Sequence, residues 1–218
     1  MTATHLRGIA AAALVIAAAC GGATGAAAQG GHSHGHSHAP AAAGDTGRWT
    51  EADVRFMQKM IGHHAQAIEM ARLAPTHGAS PAILRLAARI INAQEDEIAS
   101  MQLWLRDRKQ TVPEATAAAH HDHGGGEHGA AMPGMLSAAL MKELDEARGP
   151  EFDRLFLTYM IQHHRGAVSM VGELFASQGA GQDDAVFKLA SDVNVDQITE
   201  IDRMQRMLAD LLFGAAPQ

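Results

Sequence analysis

A motif of methionines and histidines occurs twice in the chain, at a fixed offset. The first copy, FMQKMIGHH, spans residues 56–64, and the second copy, FLTYMIQHH, spans residues 156–164. Each copy runs on to an alanine and a methionine, which are Ala67 and Met70 in the first and Ala167 and Met170 in the second. Thioethers and imidazoles together favour soft metal ions. The repeated motif therefore predicts that the protein binds a soft metal ion, with copper as the first candidate.

The two histidines of each copy are expected to have different surroundings, because adjacent residues on a helix point in different directions. At about 100° per residue, His64 falls within the apolar face of its helix and His63 on the flank of that face. His164 and His163 have the same relation in the second copy. We therefore expect His64 and His164 inside the protein and His63 and His163 at its boundary. The polar face of the first copy comprises Lys59, Gly62, Gln66 and Glu69.

These motifs belong to two predicted helical hairpins, residues 49–109 and residues 136–213. Helices are expected to begin after Thr50, Ser80 and Ser137, because Ser and Thr hydroxyls cap helix N-termini. The last of these begins a short extra helix ahead of the second hairpin. Each hairpin has one apolar face, and burying the two faces against each other gives an all-α protein, a four-helix bundle built from two duplicated αα-hairpins.

A single glutamine interrupts the apolar stripe of the second helix in each hairpin. The stripes comprise Ile83, Ala87, Ile90, Gln94, Ile98, Met101 and Leu105, and Val186, Ala190, Val193, Gln197, Ile201, Met204, Leu208 and Leu211. An antiparallel register sets His64 opposite Gln94 and His164 opposite Gln197. The same register brings Met57 and Met60 near Met101, Met160 near Met204, and Glu97 and Glu200 one turn from the glutamines.

We take Met60, His64 and Met101 as the core of a Cu(I) site, with Met57 and His63 as nearby alternatives. Neutral thioether and imidazole ligands keep the net charge small around a monovalent ion in a partly buried site. Further candidate ligands are Met70, Met160, His163, His164, Met170 and Met204, and the side chains expected to support the ligands are Gln94, Glu97, Gln197 and Glu200. The same residues also fit a purely structural core, in which methionines fill space and a histidine–glutamine pair fixes the helix register.

The first 28 residues have the pattern of an export signal. Arg7 precedes an apolar run, Ile9–Ala19, which is followed by small residues at Ala26–Ala28. Because that run is too short to remain as a membrane span, we expect a periplasmic or otherwise extracytoplasmic protein. Cys20 follows a weak lipoprotein cleavage box, which leaves lipid anchoring as an alternative.

Two low-complexity segments are rich in histidine. Residues 29–48 are expected to form a disordered arm and residues 110–135 a linker, while residues 214–218 form a tail. The arm carries His32, His34, His36 and His38, and the linker carries His120, His121, His123 and His128. Closely spaced imidazoles commonly chelate Cu(II), Zn(II) or Ni(II), so we assign both tracts to metal capture, with an inert solvated role as the alternative.

Charge and motif content exclude several function classes. The 24 acidic against 17 basic residues argue against nucleic acid as a partner and are compatible with attracting cations. The chain lacks the His-Glu-x-x-His pattern, and its G-x-S-x-G match at residues 31–35 falls in the low-complexity histidine-rich segment rather than at a strand-to-helix elbow, so we expect no enzymatic turnover. The predicted helices lack the Glu-x-x-His motif of di-iron proteins, although Glu69, Glu97, Glu173 and Glu200 leave a di-metal oxidase as an alternative.

Through MIGHH at residues 60–64 and MIQHH at residues 160–164, the chain resembles the secreted bacterial family catalogued as domain of unknown function 305. The resemblance covers both hairpins. It implies a ferritin-like helical bundle and, as for some members, periplasmic copper binding and resistance through Met and His. The family often has proline before the histidine pair and an acidic residue after it, where this chain has Gly62 and Gln162, and Ala65 and Arg165. Arg165 would disfavour a bound cation if it pointed inward, and Leu157 stands at the position equivalent to Met57, so the second copy is expected to bind more weakly or to be mainly structural.

The sequence therefore predicts an exported copper-binding protein that sequesters copper or passes it to a partner protein. Two alternatives remain open, a structural or interaction bundle whose histidine tracts chelate metals nonspecifically, and a ferritin-like di-metal oxidase. No feature of the sequence indicates an oligomeric state.

Overall fold

The computed structural model describes residues 49–116 and 132–214. Within these ranges the chain is helical and has no β-strand, which confirms the predicted all-helical class. The α-helices are α1 (Glu51–Leu73), α2 (Pro81–Asp107), α3 (Ala138–Glu146), α4 (Pro150–Ala176) and α5 (Asp184–Phe213), and a short 3-10 turn, Ala74–Thr76, follows α1. The predicted export signal with Cys20, the histidine arm and the histidines of the linker lie outside the described residues, as do the last residues of the tail.

The predicted capping residues begin three of the helices. Thr50 and Asp53 form a capping box at α1, in which the Asp53 Oδ2 atom accepts from the Thr50 amide at 2.6 Å and the Thr50 hydroxyl accepts from the Asp53 amide at 3.4 Å. Ser80 and Ser137 accept from backbone amides three residues further on, at 3.4 and 3.3 Å. Each cap contributes about 1 kcal/mol to helix stability.

The long helices pair as two antiparallel hairpins, α1 with α2 and α4 with α5. The hairpins meet through α1 and α4, and the short helix α3 packs against both of these. The helices that carry the repeated motif therefore lie at the centre of the molecule, each between its own hairpin partner and the other motif helix.

Two buried aspartates tie the hairpins together. The Asp53 Oδ1 atom, in the first turn of α1, accepts a hydrogen bond of 2.7 Å from the backbone amide of Gly181, in the turn between α4 and α5. The Asp153 carboxylate, in the first turn of α4, accepts from the backbone amide of Ser80, in the turn between α1 and α2, at 3.1 and 3.3 Å. Because hydrogen bonds to a carboxylate are stronger than neutral ones, these contacts help to fix the relative position of the hairpins.

The apolar core consists of two clusters that share no buried residue among those described. The first core cluster includes Val54, Phe56, Met57, Met60, Ile98, Met101, Met170 and Val186. The second core cluster includes Met70, Ile83, Leu86, Ile90, Phe152, Phe156, Met160 and Met204. Burial of each large side chain stabilises the fold by about 1.5–3 kcal/mol.

The predicted apolar stripes are buried along nearly their whole length. All positions of the α2 stripe are buried, including Gln94. The α5 stripe is buried from Val186 to Met204, but the prediction for Leu211 is wrong, because this side chain is 41% exposed. With His164 against Glu200, the antiparallel register places Leu211 opposite the first turn of α4. Leu211 therefore lies at the end of this helix pair, where its side chain is less covered.

Candidate metal centre

The four histidines of the repeated motif lie together where α1 and α4 pack. All four side chains are fully buried. The rings of His63 and His163 are 3.9 Å apart between centroids, with an angle of 36° between their planes. His64 lies 6.5 Å from His63, and His164 lies 6.4 Å from His163. The imidazoles therefore form a continuous group, called the histidine layer below.

The expectation that His63 and His163 lie at the protein boundary is wrong. Within a single hairpin, these residues fall on the flank of the apolar face, which is where the expectation came from. In the structure the flank of each motif helix is covered by the other hairpin, so the two flanking histidines meet each other at the α1–α4 contact.

The inner histidines contact carboxylates on the second helix of their own hairpin. The His64 Nε2 atom lies 2.7 Å from Glu97 Oε2, and the His164 Nε2 atom donates to Glu200 Oε2 at 2.7 Å. The His164–Glu200 contact has the angles of a hydrogen bond, whereas the His64–Glu97 contact does not. These carboxylate side chains are largely buried, with exposures of 14% and 20%.

The predicted pairing of these histidines with Gln94 and Gln197 is wrong by about one helical turn. Side chains on a helix lean toward its N-terminus, so facing side chains on antiparallel helices lean in opposite directions. His64 therefore reaches the residue one turn beyond Gln94, which is Glu97. The second hairpin shows the same displacement.

Asp196 of α5 is a third carboxylate close to these two, and the sequence analysis missed it. Partial burial and the neighbouring charges of Glu97, Glu200 and Asp192 raise the pKa of Asp196 above its usual value. Its position four residues before Glu200, on the same face of a helix, is the signal that would have identified it. An acidic group contributed by α2 and α5 therefore borders the histidine layer.

His163 is held in its neutral form. Its complete burial, together with the neighbouring His63, His164 and His64, keeps the pKa of His163 well below its usual value. A neutral imidazole has a lone pair available for a metal ion, whereas an imidazolium has none. This ring is therefore ready to accept a metal ion at neutral pH.

Several buried polar atoms around the layer have no hydrogen-bond partner among the described residues. They include the Nδ1 atoms of His64 and His164, both amide atoms of Gln94 and the Gln197 Oε1 atom. Buried polar atoms are normally paired, so unpaired ones mark a place suited to a bound ion.

Thioethers flank the histidine layer on both sides. The first core cluster holds Met57, Met60 and Met101, with Met170 of the other hairpin. The second core cluster holds Met160 and Met204, with Met70 of the other hairpin. Within residues 49–116 and 132–214, no three His, Cys, Asp or Glu side chains are placed to hold one metal ion. Thioether and imidazole donors together are the ligand types that soft metal ions prefer.

A segment with a turn at Pro133–Gly134, Met132–Leu136, crosses α1 and α4 over the histidine layer. The His63 Nε2 atom donates to the Pro133 carbonyl oxygen at 3.0 Å. The Gln66 amide donates to the Leu136 carbonyl at 3.0 Å and accepts from the Leu136 amide at 2.8 Å. The expectation that Gln66 lies on a polar outer face is therefore wrong, because this segment, which was predicted as the end of the linker, covers it. Gly62, which was placed on the same outer face, is also buried.

Close packing of this segment depends on two glycines. A Cβ atom at Gly166 of α4 would lie 2.0 Å from the Pro133 carbonyl oxygen, and one at Gly134 would lie 2.7 Å from the Gln162 carbonyl oxygen. Gly134 also has a φ of +77°, which other residues rarely adopt. The segment lies as close to α4 as the two backbones allow.

Arg165, which follows the second histidine pair, is exposed. Its charge therefore does not enter the histidine layer. The departure of this position from the family pattern leaves the layer of the second copy intact.

These features define an all-helical protein with a buried histidine layer between methionine-containing core clusters. The chain belongs to the family described as domain of unknown function DUF305, whose model matches residues 53–208. No curated protein matches the chain.

Several solved structures resemble the chain over most of their length. A DUF305 protein from Streptomyces coelicolor, described as a candidate secreted protein, is 27% identical, with a TM-score of 0.61 over 77% of this chain and 96% of that one. CopM in its Cu(II)-bound form is 29% identical, with a TM-score of 0.57 over 72% and 96% of the two chains. CopM in its Cu(I)-bound form is 30% identical, with a TM-score of 0.55 over 76% and 99%.

None of the helices in the described residues combines the length and the apolar character needed to cross a bilayer.

Proposed function

We propose that this protein binds copper at the histidine layer and sequesters it or passes it to a partner protein, without enzymatic turnover. The observation that carries the proposal is the fully buried group of four imidazoles between clusters that contain thioethers, in which the Nδ1 atoms of His64 and His164 have no hydrogen-bond partner among the described residues. The similarity to CopM, which has been solved with Cu(I), Cu(II) and silver, supports it.

The proposed Cu(I) ligands of the first hairpin are Met60, His64 and Met101, with Met57 and His63 as alternatives. Met60 lies four residues before His64, on the same face of α1, and belongs to the same core cluster as Met101. Burial in an apolar cluster favours a monovalent ion with neutral ligands over a divalent one, because the cost of burying charge is smaller.

The second hairpin repeats this arrangement with Met160, His164 and Met204. This repetition supports a four-helix, ferritin-like bundle that arose by duplication of one hairpin. The reciprocal hydrogen bonds of Asp53 and Asp153 to a turn of the other hairpin support it as well. We propose that the second set binds copper more weakly, since Leu157 replaces the counterpart of Met57.

We propose that the protein is exported to an extracytoplasmic space, with lipid anchoring at Cys20 as the alternative. The histidine tracts of the arm and the linker capture Cu(II), Zn(II) or Ni(II) and raise the local supply of metal.

A structural bundle is the second candidate function. It is favoured by the apolar surroundings of every methionine in the proposed sites, because methionine is a common core residue. The di-metal oxidase has less support, because Glu69 and Glu173 are exposed and contribute no carboxylate to the histidine layer.

A Cu(I) titration against a chromophoric chelator, under reducing and anaerobic conditions, tests the proposal. The mature chain is compared with a chain lacking residues 30–47 and carrying a Gly/Ser spacer in place of residues 120–128. Binding that survives this trimming is the expected result, whereas its loss would leave only the histidine tracts as metal ligands.

Two substitutions then locate the site. His64→Ala is expected to weaken Cu(I) binding at least about tenfold, which is about 1.4 kcal/mol. His77→Ala is the matched control, because His77 is also buried but lies outside the histidine layer, against Asp145. Equal Cu(I) affinity of the two variants would contradict the site.

A further inference from the structure

His64 and His164 direct their two ring nitrogens alike, although only the His164 contact has hydrogen-bond alignment. In each, Nε2 lies 2.7 Å from a carboxylate oxygen, of Glu97 and Glu200 respectively. In each, Nδ1 is buried and has no hydrogen-bond partner among the described residues. The two hairpins reproduce this arrangement with different residues on each helix.

The carboxylates determine which ring nitrogen holds the proton. An ionised carboxylate only accepts hydrogen bonds, so the nitrogen facing it must carry the hydrogen. The neutral ring then has its lone pair on Nδ1.

His77, a buried histidine outside the histidine layer, provides an internal comparison. His77 also places Nε2 near a carboxylate, 3.1 Å from Asp145 Oδ1, but its Nδ1 atom lies 2.9 Å from the Thr76 hydroxyl. Both nitrogens of His77 are therefore occupied by protein groups, as expected for a structural histidine. His64 and His164 differ from it in leaving one nitrogen for a ligand.

We propose that Glu97 and Glu200 are positioning residues that hold His64 and His164 in the Nε2–H tautomer, so that Cu(I) is bound through Nδ1. This inference rests on the proposed copper-binding function. Metal-ligating histidines commonly donate their other N–H group to a carboxylate, which fixes the ring and makes the ligating nitrogen more basic. The nitrogen facing Glu97 is therefore not the one that binds the metal.

Met60 and Met160 lie one turn toward the helix N-terminus from His64 and His164, on the same helix faces and within the flanking core clusters. A thioether is therefore available one turn from each histidine.

Nitrogen-15 NMR of the metal-free full-length chain tests the tautomer directly. Long-range couplings in the imidazole ring distinguish Nε2–H from Nδ1–H, and His64→Gln and His164→Gln variants assign the signals. The Nε2–H form is expected for both residues. An Nδ1–H form in the metal-free chain would overturn the inference whatever the protein does with copper.

Addition of Cu(I) then tests the ligating nitrogen. The His64 Nδ1 resonance is expected to move much more than Nε2, and a larger change at Nε2 would overturn the inference while leaving copper binding in place. No Cu(I) binding by the wild-type chain would instead overturn the proposed function itself, and with it the ligation.

Glu97→Ala tests the positioning role. The variant is expected to lose the single tautomer of His64 in the NMR spectrum and to bind Cu(I) about 10–100-fold more weakly. Glu95→Ala is the matched control, because Glu95 is on the same helix but exposed and paired with Arg72. Retention of the Nε2–H tautomer and of full affinity in Glu97→Ala would show that Glu97 does not position His64.

Discussion

His63 and His163, one from each hairpin, pack their rings against each other with centroids 3.9 Å apart and planes tilted by 36°. The two residues are equivalent members of the repeated motif, so the contact relates the two copies directly. It also makes the histidine layer a property of the assembled hairpins, since neither hairpin contains this pair alone.

Stability is expected to fall as the solution becomes acidic. The pKa of His163 is lowered in the folded protein, so below the unfolded value of about 6.5 the unfolded chain binds a proton that the folded chain does not. The free energy of unfolding should therefore decrease as pH falls from about 6.5, by at most about 1.4 kcal/mol per pH unit for this group.

Urea unfolding at a series of pH values measures this effect. His163→Phe should give a shallower dependence of the unfolding free energy on pH, with the slope rather than the absolute stability as the readout. An unchanged slope in that variant would show that another group causes the acid sensitivity.

Gly166→Ala should displace the segment Met132–Leu136. The new Cβ atom would overlap the Pro133 carbonyl oxygen, and relief of such overpacking typically costs about 1–3 kcal/mol. Gly172→Ala, also in α4, has no atom within 4 Å of the new Cβ and should be stabilising by about 0.5–1 kcal/mol. Thermal unfolding compares the two, and a similar change in both would contradict the close packing of the segment.

Asp53→Ala should destabilise the protein by about 1–3 kcal/mol or more. The change removes the capping box of α1 and leaves the Gly181 amide without its acceptor. Glu51→Ala serves as the control in the same helical turn, because Glu51 is exposed. Chemical denaturation of the two variants should separate them clearly, and equal stabilities would argue against the link between hairpins.

Met60→Leu should reduce Cu(I) affinity by about tenfold or more while changing stability by less than about 1.5 kcal/mol, because leucine conserves the volume but not the thioether. Met141→Leu is the comparison, since Met141 is a partly buried methionine of α3 that belongs to neither proposed ligand set. Chelator competition measures both affinities. If Met60→Leu binds as tightly as Met141→Leu, Met60 is a core residue only.

Local sequence signals predicted the helices well. Thr50, Ser80 and Ser137 begin helices as expected, and the stripe containing Gln94 is buried. These features depend on residues within one helix or one hairpin, where capping and periodicity are strong signals.

The features that depend on contacts between hairpins could not be predicted in the same way. The burial of His63 follows from packing against α4, and the burial of Gln66 follows from a segment that has no periodic pattern. The contact of His64 with Glu97 depends on the direction in which side chains lean, which a register counted along Cα positions does not include.

The reciprocal contacts of Asp53 and Asp153 have a consequence for folding. Each aspartate satisfies a turn of the opposite hairpin, so a hairpin produced alone would keep its helical pattern but lose the acceptor for its turn amide. The two halves of the chain are therefore expected to unfold in a single cooperative transition, with folding slowed by the need to join segments far apart in sequence.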